Sequence, residues 1–200
     1  MFRAFAFAAG LFLAAASAAQ AQTWTIDPSH SAAHFAVRHM MVSTVRGDLG
    51  KIAGSVIFDP AKPAAGSVEA TIDVNGIDTR EPGRDKHLRS ADFFDAEKFP
   101  TITFKSKKIE PAAGGGFKVT GDLTMKGVTK EVVLDVEALR PAIKDQRGNA
   151  RTGTAATTKL NRQDFGITWS RALDGGGVVV SDEVSITIDV ELIAAAPAAN

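Results

Sequence analysis

From Val184 to Leu192 the chain alternates without a miss. Val184, Ile186, Ile188, Val190 and Leu192 fall on one side, and Ser185, Thr187, Asp189 and Glu191 on the other. A period of two is that of a strand with one face buried and one in water. The pattern returns at Val68, Ala70, Ile72 and Val74 against Glu69, Thr71, Asp73 and Asn75. It returns less cleanly around Ile102 and Phe104, around Val119, Leu123 and Met125, and around Val132, Leu134 and Val136. Turn signals separate the runs: Asp59-Pro60, Lys62-Pro63, Pro82-Gly83, Pro111 with Gly114 to Gly116, Arg147-Gly148-Asn149, and Gly175 to Gly177. Short strands spaced by roughly 8 to 12 residues predict an all-β antiparallel sandwich or barrel. Two segments interrupt the pattern. One is His39 to Val45; the other, Arg84 to Phe94, carries Leu88, Ala91, Phe93 and Phe94 at mixed spacing and predicts a short helix.

The ends read differently from the body. Residues 1–21 begin with a basic Arg3, continue as a short apolar run and finish in Ala19-Gln20-Ala21, the pattern of a secretory signal peptide cleaved after Ala21. The apolar run is shorter than the roughly 20 residues of a bilayer span. Residues 22–193 then form one domain, and 194–200, small and polar, a flexible C-terminal tail. Export predicts a periplasmic location. The chain has no cysteine, so thiol chemistry and thiolate-ligated metal are excluded. With 23 basic and 23 acidic residues there is no bulk field to favour nucleic acid, and no nucleic-acid partner is expected.

The stretch His30 to Met40 holds three of the four histidines, His30, His34 and His39. On a helix the four-residue spacing of His30 and His34 would let them share a metal. Here Ala33, Phe35 and Val37 alternate with His34, Ala36 and Arg38, so the segment predicts a strand. On a strand four residues span about 13 Å, too far for two ligands on one ion about 2 Å from each. Parity sends His34 outward and leaves His39 on the side of Phe35 and Val37. His30, in Asp27-Pro28-Ser29-His30, is expected as a turn residue bonded to local backbone. There is no Gly-x-Ser-x-Gly elbow, no His-Glu-x-x-His pair and no phosphate loop. Asp27 with His30 could form half of a catalytic dyad, without a serine singled out as nucleophile.

Five ordered blocks add a resemblance. They are Trp24 to Ser31 with Phe35, Val37, Arg38 and His39; Ser43 to Gly47; Arg84 to Phe94 leading to Phe99-Pro100-Thr101-Ile102; Gly121 to Lys130; and Asn161 to Gly166. With them the chain resembles, from about Trp24 to Ile193, the YceI family of exported, lipocalin-like polyisoprenoid-binding proteins. The resemblance implies an eight-stranded antiparallel barrel with short helical interruptions. It also implies an apolar cavity holding an isoprenoid lipid of the ubiquinone or polyprenyl type, with no catalytic cofactor. An eight-stranded barrel can be filled by its own side chains or hold one ligand, and the sequence leaves that choice open.

On that footing the candidate wall for the lipid tail is Phe35, Val37, Ile72, Phe93, Phe94, Phe99, Ile102, Phe104, Leu123, Met125, Ile186 and Ile188, with Trp169 at the mouth or plugging the barrel end. Tyrosine is absent, so the donors for a quinone or phosphate head group are sought in His39, Arg84, His87 and Arg89. The same arginines and His87 could instead pair with Asp85 and Asp92 and hold the helical segment. Three readings follow: a non-catalytic periplasmic lipid carrier; a histidine-based or metal-assisted hydrolase using Asp27, His30 and His39; and a solid barrel that binds a partner on its surface. Transient membrane contact and a homodimer are compatible with the first.

Overall fold

The computed structural model describes residues 21–59 and 61–195. The signal-peptide expectation therefore lies, but for Ala21, outside the described residues, as does the tail expectation beyond Ala195. Eleven strands alternate along the chain: β1 (Gln22–Ile26), β2 (Ala32–His39), β3 (Ser43–Asp48), β4 (Ile52–Phe58), β5 (Ser67–Asp73), β6 (Thr101–Pro111), β7 (Phe117–Met125), β8 (Val128–Val136), β9 (Ile143–Lys144), β10 (Ala150–Asn161) and β11 (Val180–Ala194). Among the described residues one α-helix, α1 (Pro82–Arg89), lies between β5 and β6. The last strand runs through Ala194, which pairs with Trp24, and the Ala195 N–H donates to the Thr23 carbonyl.

All pairings are antiparallel, and the sheet closes into an eight-stranded barrel because β11 bonds on both edges. One edge takes β10 from Arg151↔Ile193 to Asn161↔Glu183. The other takes β2 along its first half and β1 along its last residues. Thus β1 and β2 are two halves of one interrupted strand. The next strand is interrupted in step, β3 pairing with β2 and β4 with β1.

Both interruptions have local causes. Between β1 and β2, Pro28 has no N–H to give the ladder. The Asp27 N–H still reaches the Glu191 carbonyl, and the Ser31 hydroxyl takes the Glu191 N–H at 3.0 Å, so the pairing is patched across the kink. Between β3 and β4 the chain passes Gly50 at φ +117, where a Cβ would lie 2.0 Å from the Asp73 carbonyl oxygen. Only glycine fits there.

The predicted break from His39 to Val45 contracts to Met40–Val42, because His39 closes β2 and Ser43 opens β3. The predicted helix is shorter than Arg84 to Phe94 and starts earlier. Glu81 caps it by accepting the N–H groups of Gly83 and Arg84, and Pro82 occupies its first turn. At Ser90 the backbone turns extended (φ −73, ψ 172) while its hydroxyl donates to the His87 carbonyl, and the chain continues to Phe94 in turns. The buried Asp85 carboxylate receives the Thr79 N–H and hydroxyl, fixing the loop that precedes the helix.

The inward positions of β11 are those of the alternating run, with Ile186 and Leu192 buried. The core falls into two adjoining clusters. The larger gathers Ile26, Phe35, Ile52, Ile72, Ile102, Phe165 and Ile186 and receives Phe93 from the segment after α1. The smaller, toward the opposite end, is Phe58, Phe104, Ile109 and Val119.

Candidate functional site

A cavity of about 240 Å³ runs through the barrel and is lined from both clusters, from Phe93, Leu160 and Val180 at one end to Phe58, Phe117 and Leu139 at the other. One water needs roughly 10–15 Å³ measured in this way, so the lumen is room for a ligand rather than a packing defect. The walls are aliphatic and aromatic, Thr154, Thr158 and Arg162 being the polar residues among them. The space exists because large and small side chains are unevenly shared. Phe35, Phe104 and Ile186 project from their strands, while Ala33, Ala70, Thr154 and Ala156 leave the facing positions short.

Of the residues expected to form the wall, Phe35, Val37, Ile72, Phe93, Phe94, Ile102, Phe104, Leu123, Met125, Ile186 and Ile188 line the cavity. Phe99 does not. Its ring packs beside Gly127 in the β7–β8 turn, 2.7 Å from where a Cβ would stand. Trp169 does not line it either; it forms a layer behind Phe93, ring centroids 5.3 Å apart.

The expected head-group residues do not line the cavity, and three of them bond acceptors close by in the chain. Arg84 gives its Nε–H to the Thr79 hydroxyl at 2.7 Å and its Nη2 to the Thr79 carbonyl at 2.9 Å. Arg89 donates to the Ile77 carbonyl at 3.0 Å. His87 bonds Asp92 at 2.9 Å and meets Phe93 and Trp169 edge-on at 5.0 and 5.1 Å. These bonds tie α1 to its own flanking loops, and the His87–Trp169 contact joins it to the segment after β10. His39 keeps the parity of Phe35 and Val37, but Val37 is the β2 residue nearest that end to line the lumen.

The polar residue that sequence reasoning passed over is Arg162. Its side chain is 5 % exposed, and it lies against the lumen in the turn Arg162–Phe165 after β10. All five of its donors are used. Nε reaches the Ser181 carbonyl at 2.9 Å, Nη1 the carbonyls of Ile167 (2.6 Å) and Trp169 (2.8 Å), and Nη2 the Val180 carbonyl (3.3 Å) and the Asp182 carboxylate (3.0 Å). Burial pushes the guanidinium below its ordinary value, and Asp182 opposes the shift. It ties three segments together at one end of the cavity and has no donor left for a ligand. The signal for it was the block Asn161 to Gly166, whose arginine sits directly after an inward-facing strand.

Outside the lumen, Asp27, His30 and Glu191 offer ligand atoms within 4.8 Å of one another. His30 Nδ1 bonds the Asp27 carboxylate at 2.9 Å rather than local backbone, which corrects the expected turn contact. The carboxylate captures the ring because it lies on the same tight turn, three residues back. Arg151 then occupies the rest of the cluster. It donates to Asp27 and Glu191 through Nη1 and to Asp145 through Nε. A guanidinium already seated between those carboxylates repels a metal ion. His39 is not part of this cluster, and none of its members lines the cavity. His34 points outward as expected and pairs with Asp48 across β2 and β3.

The cluster instead pins the kink between β1 and β2. His30 and Arg151 hold the Asp27 carboxyl well below the usual carboxylate range, and Arg151 with Asn149 does the same for Asp145. A carboxyl whose value is depressed by folding adds stability above its unfolded value near 4 and loses it as pH falls toward the folded value. An Arg151→Met variant is therefore expected to unfold at lower urea than the parent at pH 7. The gap should narrow below about pH 4, as measured by urea midpoints across a pH series.

The comparisons with known proteins fall on the same barrel. The family model of the YceI-like domain matches residues 24–192. A UPF0312 protein of Vibrio cholerae is 41 % identical over 152 residues, covering 75 % of this chain and 80 % of its own. One of Staphylococcus aureus is 35 % identical over 168 residues, covering 84 % and 95 %. Among solved structures, BcnA of Burkholderia cenocepacia superposes with a TM-score of 0.71 at 30 % identity, covering 83 % of this chain and 98 % of that one. A polyisoprenoid binding domain from Saccharophagus degradans, implicated in plant cell wall breakdown, has the same fold with a TM-score of 0.64 at 16 % identity, covering 87 % and 99 %. With a barrel of this topology and a family match from the first strand to the last, the chain belongs to the YceI family.

Proposed function

We propose that the protein is a non-catalytic carrier that holds the tail of an isoprenoid lipid, of the ubiquinone or polyprenyl type, in the lumen of its barrel, and that it works in the periplasm after export. The observation that carries the reading is the cavity: long, walled by aliphatic and aromatic side chains, and bordered by an arginine whose donors are all spent on protein. An apolar cavity of this size is a poor place for water and a good one for a hydrocarbon chain. Each five-carbon unit buried contributes roughly 4 kcal/mol before association and ordering costs of at least about 4 kcal/mol, so micromolar binding takes about three units or more. Affinity therefore needs no polar contact. The fold is also the one in which the polyisoprenoid binding domain of Saccharophagus degradans is built.

The export pattern of residues 1–21 supports the location. A hydrolase centred on Asp27, His30 and His39 has less support. Arg151 donates to the same Asp27 carboxylate that His30 bonds, and His39 stands apart from them. The test is uptake: purified protein incubated with polyprenol or ubiquinone, passed through a sizing column and extracted with organic solvent. About one lipid per barrel is expected. Protein that returns empty with every isoprenoid offered contradicts the reading.

A further inference from the structure

The turn between β2 and β3 exposes Met40, Met41 and Val42 at 44 %, 53 % and 79 %, three adjacent apolar side chains in water. Its backbone makes the choice of residues unusual. The Val42 N–H donates to the His39 carbonyl at 3.1 Å, and both central residues have positive φ, +48 at Met40 and +61 at Met41. That is the mirror-image turn for which Asn-Gly is favoured, and methionine at both positions works against the backbone. The side chains, not the turn, account for their presence.

The tip is also held rigidly. The Met40 N–H donates to the Val179 carbonyl at 2.8 Å, Arg38 donates to the Met41 carbonyl at 2.8 Å, and Met41 packs over Gly177. It stands at one end of the lumen: His39 pairs with Val180 and Val37 with Val184, and Val37, Val180 and Val184 all line the cavity. Its charges are favourably placed. Arg38 spends its guanidinium on the Thr44 hydroxyl and the Met41 carbonyl rather than on a carboxylate, and Arg171 is exposed at the base of the adjoining hairpin. Asp174 stands on that hairpin as well, while Asp182 and Glu183 at the start of β11 are already matched by Arg162 and Lys159.

We propose that Met40-Met41-Val42 is a docking tip for an anionic lipid bilayer, inserting its side chains among the head groups and bringing the end of the lumen to the membrane; the role in loading rests on the lipid-binding reading above. Methionine side chains adapt to an irregular acyl boundary, and flanking arginines are drawn to anionic head groups.

Because the chain has no cysteine, Val42→Cys carries a single environment-sensitive fluorophore to the tip, and Ala113→Cys carries it to the β6–β7 turn at the other end. Mixed phosphatidylethanolamine–phosphatidylglycerol vesicles are expected to shift the first label to the blue and leave the second unmoved. A Met40→Asn/Met41→Gly variant, which gives the turn the residues it favours, should melt no lower than the parent yet bind the vesicles at least about tenfold more weakly. Arg38→Gln should weaken binding about fivefold. A tip label indifferent to vesicles, a double variant that binds as well as the parent, or a label shift that follows protein concentration without vesicles and so marks a second copy, overturns the proposal. Polyprenol delivered in ethanol bypasses the bilayer, so the double variant should load as the parent does. Failure of both to load overturns the lumen reading, while vesicle fluorescence still decides the tip.

Discussion

Urea unfolding of an Arg162→Met variant is expected to show a loss of about 3–5 kcal/mol, the scale for removing one partner from a buried charged network. Methionine restores much of the volume but none of the donors. Four carbonyls, those of Ser181, Ile167, Trp169 and Val180, then lose the group that satisfies them at one end of the barrel. Arg162→Lys is expected to recover little, because an ammonium has three donors on one atom and cannot reach acceptors disposed around a planar fork. The loss should appear in the unfolding midpoint and as faster hydrogen exchange in the N-terminal part of β11, where Ser181 and Asp182 are held.

Ala156→Phe is expected to abolish lipid loading while leaving a folded barrel. Ala156 lies inward on β10, opposite Val136 and Ile188, and lines the lumen. A phenyl ring there enters space that is already open, so the cost of overpacking should stay within about 1–3 kcal/mol. The ring blocks the path a chain-like ligand takes between the two core clusters, and bound polyprenol should fall at least about tenfold. Thr157→Phe, one residue along and exposed on the outside, should load as the parent does. Equal loading by both variants would place the ligand outside the lumen.

The strands were legible because burial on one face writes a period of two. Val184 to Leu192 reads correctly residue by residue, and His34 is rightly sent outward. The closure of the ring is not written in any local pattern, since it depends on residues 27–31 between β1 and β2 facing only Val190 and Glu191 on β11. The β10 wall was missed for a related reason: Thr154, Ala156 and Thr158 are small or polar, and their inward position shows only once Leu160 and the β11 register fix the parity. Arg84 and Arg89 misled because an arginine donor says nothing about which acceptor it meets. The carbonyls of Thr79 and Ile77 reach them through a loop whose course is set by Asp85, not by periodicity. Asp27 and His30 stood out as chemistry and proved to brace a kink.

Native mass spectrometry of protein freshly purified from its own host tests the central claim most directly. The expected result is a species heavier than the bare chain by the mass of one isoprenoid lipid, lost on solvent extraction, regained on incubation with that lipid and absent from Ala156→Phe. A bare chain mass that stays unchanged after incubation with polyprenol and ubiquinone would contradict it.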